Sequence, residues 1–345
     1  MDAVTPPSAG GDDLRQAPPP TPNGESSAPA VQRKTPLRVA ARILRALVLG
    51  AGAIMLIFAP DFMVEYWSRV EAAQPFFDPD YWLGVGLYLL LSIGAVAIVY
   101  LAAAPKRMFK ILPAVILLIS LIGGALFSAL SAVDANSAGG GLFAVTLFRV
   151  ALAAALMFEL TRANYKIYAP KFQFKWSATF ATIGIWVLSF IVGAGAQLII
   201  EISGPEWLTV EFYIDTNIQD VAGILPFADF GAIEWILTGA ALCLLTPIAE
   251  ELIFRRALMG GLIAVAPKRQ LFVIGVVLFA SFVFMAIHIA PYTFARILAL
   301  ALGLAAVYLL WGVRYAIFMH ALQNATAFSL ILLDEFGAFE SFLIE

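Results

Sequence analysis

The chain has 345 residues, of which 61% are hydrophobic and 13% charged. A water-soluble globule of this length is excluded, and the composition implies a polytopic membrane protein, an all-α bundle of transmembrane helices. The net charge of -3 gives no basis for a nucleic-acid partner, and in a membrane protein the placement of Lys and Arg matters more than their sum.

Residues 1–40 read as a disordered cytoplasmic tail, rich in Pro, Ser, Gly and Ala and without periodic apolar positions. A cleavable signal peptide is not expected, because the first apolar run begins only after about forty residues. Arg33, Lys34, Arg38, Arg42 and Arg45 form a basic collar ahead of the first span, which the positive-inside rule puts in the cytoplasm.

Nine apolar segments follow, at 46–64, 82–104, 111–133, 142–161, 178–200, 233–262, 271–289, 294–312 and 314–333. Each has about the twenty residues needed to cross ~30 Å of hydrocarbon. The count falls to eight if the last two are one helix. Residues 41–232 thus hold the N-terminal helices and an acidic loop, 233–333 a helical core with the chemistry-bearing residues, and 334–345 an acidic tail.

The connectors alternate in charge. Those with Lys106 and Arg107, Lys166 and Lys171, Arg256 and Lys268, and Arg314 fall on one side, and acidic connectors fall on the other. Nine spans satisfy the pattern with the N-terminus cytoplasmic and the C-terminus outside, in a bacterial-type inner membrane. Loop 201–232 has no Lys or Arg and carries Trp207, Phe212 and Tyr213. It reads as an interfacial connector or as a lid. Cys243, the single cysteine, excludes an intrachain disulfide and reads as a small hydrophobe.

Of the isolated cations, Arg296 near a helix end reads as snorkelling to the interface. Arg149 is deeper. An acid on another helix is its expected partner, because Glu159 in the same span is ten residues away.

The sixth span contains Thr246-Pro247-Ile248-Ala249-Glu250-Glu251-Leu252-Ile253-Phe254-Arg255-Arg256. Ionisable side chains at bilayer depth cost several kcal/mol unless paired or facing water, and so mark a functional site. Residues four apart share a helix face, so Glu251 lies beside Arg255 while Glu250, about 100° away, is free to face a cavity as a general base. Pro247 deletes a backbone hydrogen bond about one turn before the acids and predicts a kink.

Both histidines lie downstream in apolar segments, His288 sharing a face with Phe284 and His320 with Asn324. Such residues also serve as interhelical hydrogen-bond glue. Here two imidazoles, a double carboxylate and an amide gather on three of the last four spans. At ~1.5 Å per residue from the cytoplasmic ends, Glu250 falls at about 18 Å, His288 at about 26 Å and His320 at about 9 Å, a spread that tilt or the kink must close.

At these residues the chain resembles the CPBP family, the CAAX-protease and bacteriocin-processing (Abi) intramembrane proteases. Glu250, Glu251 and Arg255 match its Glu-Glu-x-x-x-Arg motif, Phe284 and His288 its Phe-x-x-x-His motif, and His320 and Asn324 its His-x-x-x-Asn motif. The resemblance implies an intramembrane endopeptidase acting on a membrane-associated peptide or protein. In it Glu250 and His288 would activate water, and His320 and Asn324 would stabilise the oxyanion. Glu251, Arg255 and Phe284 would support them. No cofactor is favoured, but Glu250, His288 and His320 form a possible zinc set. A proton-coupled transporter, or a non-catalytic scaffold or immunity protein, would use the same buried groups differently.

Overall fold

The computed structural model describes residues 36–68, 138–162, 166–171, 173–205, 208, 231–265, 269–288 and 293–335, with isolated positions between 90 and 97. Among the described residues the chain forms seven long helices and no strand. They are α1 (Pro36–Ser68), α2 (Ala138–Arg162), α3 (Trp176–Ser203), α4 (Ala232–Val265), α5 (Gln270–Ala286), α6 (Phe294–Trp311) and α7 (Val313–Glu335). Of these α3, α4, α6 and α7 are long and apolar enough to cross a membrane, and α5 and the Leu142–Phe158 part of α2 are shorter apolar stretches.

Seven expected spans coincide with these helices. The expected span at 111–133, that at 82–104 apart from isolated positions, the tail before Pro36, most of loop 201–232 and the acidic tail beyond Glu335 lie outside the described residues. The last two spans are separate helices, parted by Gly312 at φ 91, a left-handed backbone that a side chain would strain. Helix α5 ends at Ala286, short of the expected 289, so His288 sits in the turn beyond it, where its N–H bonds the Met285 carbonyl at 3.2 Å. Pro291 follows three residues later, and the backbone ahead of a proline is steered away from helix.

Helix α4 is the centre of the bundle, packing against α1, α2, α5 and α7. On one side Leu152, Ala153, Leu156 and Leu160 of α2 bury Ala249, Ile253 and Ala257, together with Leu49 and Ala53 of α1. On the other, Phe254 and Leu258 join Phe284 of α5, Leu304 and Tyr308 of α6, and Met319 of α7. Small residues allow a close approach between α3 and α6. A Cβ on Gly193 would stand 3.0 Å from the Arg296 backbone, the close contact that glycine permits between membrane helices.

The segment between α2 and α3 is laced onto one end of the bundle. Tyr168 N–H donates to Gly260 O at 2.9 Å, the Tyr308 hydroxyl donates to Tyr168 O, and Lys175 N–H donates to the Tyr315 hydroxyl at 2.9 Å. The end of α4, the α6–α7 junction and the 166–175 connector therefore share one end. These are three of the connectors that charge alternation groups together.

Helix α4 is not a uniform α-helix. It has π-helical turns at Ala241–Leu245 and Leu252–Met259, on either side of the acids. Such turns occur often at functional sites. The first absorbs Pro247: Thr246 N–H bonds Ala241 O, five residues back, and continuing that register would require Pro247 to donate to Leu242 O. Proline has no N–H. The orphaned carbonyl is taken by Asn324, whose Nδ2 donates to Leu242 O at 2.8 Å.

An unsatisfied buried carbonyl costs about 1–3 kcal/mol, so Asn324→Ala is expected to destabilise the protein by about that amount in detergent unfolding. Pro247→Ala restores the missing donor, and adding it should recover most of the loss. If the two substitutions are additive, the assignment of this bond is wrong.

Candidate active site

Two turns of α4 and one of α7 bring the charged groups together. Glu251 and Arg255 have no solvent exposure, and His320 and Glu250 are 3% and 8% exposed. Of the two acids only Glu250 therefore keeps a trace of solvent exposure.

Glu251 is held from two directions. Its Oε2 lies 3.4 Å from Arg255 Nε, the expected i,i+4 pair, and its Oε1 accepts from His320 Nδ1 at 3.0 Å. That second bond selects the tautomer with hydrogen on Nδ1 and leaves Nε2 as the free position. Nε2 points at Glu250, 3.9 Å from Oε2. This carboxylate oxygen is buried and has no hydrogen-bond partner. One water can hydrogen-bond to both atoms across that gap, with its two hydrogens directed to two acceptors.

Arg255 is pinned as firmly as its partner. Its Nη2 donates to Ala301 O of α6 at 3.4 Å, and its Cζ lies 4.6 Å from the centre of the Phe284 ring, a cation–π contact that is strongest when desolvated. Phe284 is the common wall. It meets Phe254 edge-on at 5.2 Å, His320 at 5.7 Å and His288 at 4.8 Å between ring centres.

The expected residues divide accordingly. Glu250, Glu251, Arg255, Phe284 and His320 converge, although the depth count separated Glu250 from His320. His288 joins through the Phe284 ring. It is exposed, and its polar contact is to Phe284 O, from Nδ1 at 2.7 Å, rather than to Glu250. Asn324 uses one amide hydrogen on Leu242 and has a second. The Glu251–His320 bond is absent from the sequence reading, which gave Glu251 only Arg255; no spacing rule reaches across 69 residues. Arg149 of α2 is within electrostatic range of Glu250. Arg296 is exposed, as its helix-end position suggested.

Among the described residues no three His, Cys, Asp or Glu side chains are gathered as a metal-binding group. Glu250, His288 and His320 therefore do not fit a zinc ion as arranged here.

Fold and site together define a helical integral membrane protein with a buried Glu–Glu–Arg–His cluster, one of whose two carboxylates keeps slight exposure. Residues 232–326 match the model of the type II CAAX prenyl endopeptidase, Rce1-like family, and this matched segment contains the residues of the CPBP motifs. No curated protein and no solved structure significantly matches the chain.

The two acids should respond differently to the same change. Glu251→Gln leaves a fully buried Arg255 without its counter-charge, and breaking such a pair costs about 3–5 kcal/mol. Glu250→Gln, at the partly open position, should cost clearly less in thermal unfolding of the detergent-purified protein. Equal losses would mean that the burial of the two acids does not differ as described.

Proposed function

We propose that the protein is an intramembrane endopeptidase in which Glu250 is the general base toward a water shared with His320. The observation that carries this is the 3.9 Å gap between Glu250 Oε2 and His320 Nε2. Both are acceptors when His320 is neutral, and Glu251 behind the ring supports that tautomer. A carboxylate orienting an imidazole that in turn orients the nucleophile is the arrangement that serves water activation elsewhere.

The water oxygen attacks the scissile carbonyl carbon, and its proton passes to Glu250. The carbonyl oxygen takes the negative charge and draws hydrogen bonds from the second amide N–H of Asn324 and from an imidazole. Donors aimed at a developing oxyanion are commonly worth about 3–4 kcal/mol in such reactions. Collapse breaks the C–N bond, and Glu250 returns its proton to the leaving amine.

Family resemblance gives the water to His288 and the oxyanion to His320. The distances favour the reverse, with His320 at the water and His288, on the exposed side of Phe284, toward the substrate. Glu251, Arg255 and Phe284 keep His320 and α4 in register. By the name of the matched family, the substrate class is a prenylated protein tail ending in Cys-aliphatic-aliphatic-X. The N-terminus is assigned to the cytoplasm and the C-terminus to the outside on the strength of the charge alternation.

The test is cleavage of a farnesylated peptide with such a terminus by purified protein in lipid nanodiscs. Glu250→Gln and His320→Ala should each reduce kcat/KM by at least about a hundredfold, in line with loss of general-base catalysis, while elution as a folded monodisperse species is kept. His288→Ala should lower the rate less than His320→Ala. Undiminished cleavage by Glu250→Gln would remove the proposal. Flux of a solute through vesicles without peptide product would instead support a transporter.

A further inference from the structure

Helices α3, α6 and α7 enclose a cavity of about 290 Å³ whose described lining includes none of the candidate-site residues. It lies beside the first two turns of α6 and the second half of α7, away from the junction between them. Its walls are apolar, with Phe190 and Ala194 of α3, Ile297 and Leu300 of α6 and Leu330 of α7. Phe190 and Leu330 are also half-exposed on the outside of the bundle. The cavity therefore opens sideways, on a surface that meets hydrocarbon when these helices span a bilayer.

Two polar groups break these walls, and both are donors. Arg296 lines the cavity and is exposed, and among the described residues no carboxylate pairs with its guanidinium. As the third residue of α6 it stands where a long cationic side chain snorkels to the level of the headgroups. Gln323 of α7 is oriented from α3. The Trp186 indole N–H, which can only donate, bonds Gln323 Oε1 at 2.9 Å, so the amide oxygen is identified and Nε2 keeps both hydrogens. Thr326 spends its hydroxyl hydrogen on Leu322 O at 2.9 Å, and the described lining holds no acid.

An apolar slot with a cation at its rim, an amide donor beside it and no carboxylate is complementary to an apolar chain that carries an anionic head. Arginine suits a phosphate because its planar fork takes two oxygens at once, and basic pockets between transmembrane helices bind anionic headgroups. The volume is at the lower end for ligand pockets, enough for part of one acyl chain while the rest of the lipid stays in the bilayer. We propose that the cavity between α3, α6 and α7 is a binding site for an anionic phospholipid, with one acyl chain in the cavity and the phosphate on Arg296. The sideways opening selects a lipid over a water-soluble anion. The site stands apart from the roles given to Glu250 and His320, so it can fail or hold independently of the protease reading.

The test uses the full chain in phosphatidylcholine nanodiscs doped with a trace of photoreactive lipid, either a phosphatidylglycerol with a diazirine in its acyl chain or the matched phosphatidylcholine. Labelled peptides are located by mass spectrometry. In wild type the phosphatidylglycerol probe should label α3, α6 and α7 around the cavity in preference to the phosphatidylcholine probe. Arg296→Gln should reduce that preference about fivefold, the scale of one cation beside an anionic lipid, and Arg296→Lys should keep most of it. Ala194→Trp fills the cavity from a helix that carries none of the site residues, and it should lower labelling there while labelling elsewhere persists.

Equal labelling by the two probes in wild type leaves only ordinary surrounding lipid and overturns the proposal, and this comparison needs no variant. A preference that survives Arg296→Gln overturns the role of Arg296. Undiminished labelling in Ala194→Trp overturns the cavity as the seat of the chain. A wild-type dimer that Ala194→Trp dissolves would give the cavity to a second copy of the protein and overturn the proposal as well.

Discussion

The structure depends on one fully buried carboxylate. Glu251 accepts from His320 on one oxygen and faces Arg255 with the other, so a single side chain ties α7 to α4 and holds the α4 arginine in place. Its cost is large, because two charges leave water together, and such a pair adds little net stability compared with an apolar substitute. What it supplies is orientation. The imidazole cannot turn without breaking the bond to Glu251, and its other nitrogen is therefore presented to Glu250. The Phe284 ring, with Arg255 at 4.6 Å and two imidazoles at its rim, limits the alternatives further.

The backbone of α4 makes that orientation possible. A regular α-helix containing Pro247 would leave a carbonyl without a donor and kink outward. Here the defect is spread into a π turn, and the freed Leu242 carbonyl is bonded by Asn324, one helical turn from His320 on the same face of α7. Helix α7 thus grips α4 twice, by an amide on the bulge and by an imidazole on the acid. The short α-helical stretch Thr246–Glu251 between the two π turns carries Glu250 and Glu251 on two different bearings. One carboxylate is sealed between Arg255 and His320 and the other keeps slight exposure, although they are neighbours in sequence.

Much of this was legible in the sequence, for reasons that can be named. Hydrophobic run length located the helices, since crossing or packing in a membrane requires about twenty apolar residues, and charges inside those runs marked the site because burial is costly. The i,i+4 relation of Glu251 and Arg255 and the shared faces of Phe284 with His288 and His320 with Asn324 follow from helical geometry alone. Contacts across helices could not be read that way. The Glu251–His320 bond joins residues 69 apart, and the depth count that set His320 well below Glu250 assumed straight α-helices of uniform rise. The π turns in α4 break that assumption. Nor does spacing reveal that Asn324 serves a carbonyl that Pro247 cannot, or that His288 lies just past the end of α5.

The claim on which the rest stands is that Glu251 holds His320 with hydrogen on Nδ1 and Nε2 free toward Glu250. With only two histidines in the chain, nitrogen-15 NMR of histidine-labelled protein in lipid bilayers reads this directly once the His288 signals are assigned with His288→Gln. The account predicts a protonated Nδ1 and an unprotonated Nε2 for His320 in the neutral form, with that tautomer preference weakened by Glu251→Gln. A neutral His320 carrying its hydrogen on Nε2, unchanged by Glu251→Gln, would contradict it.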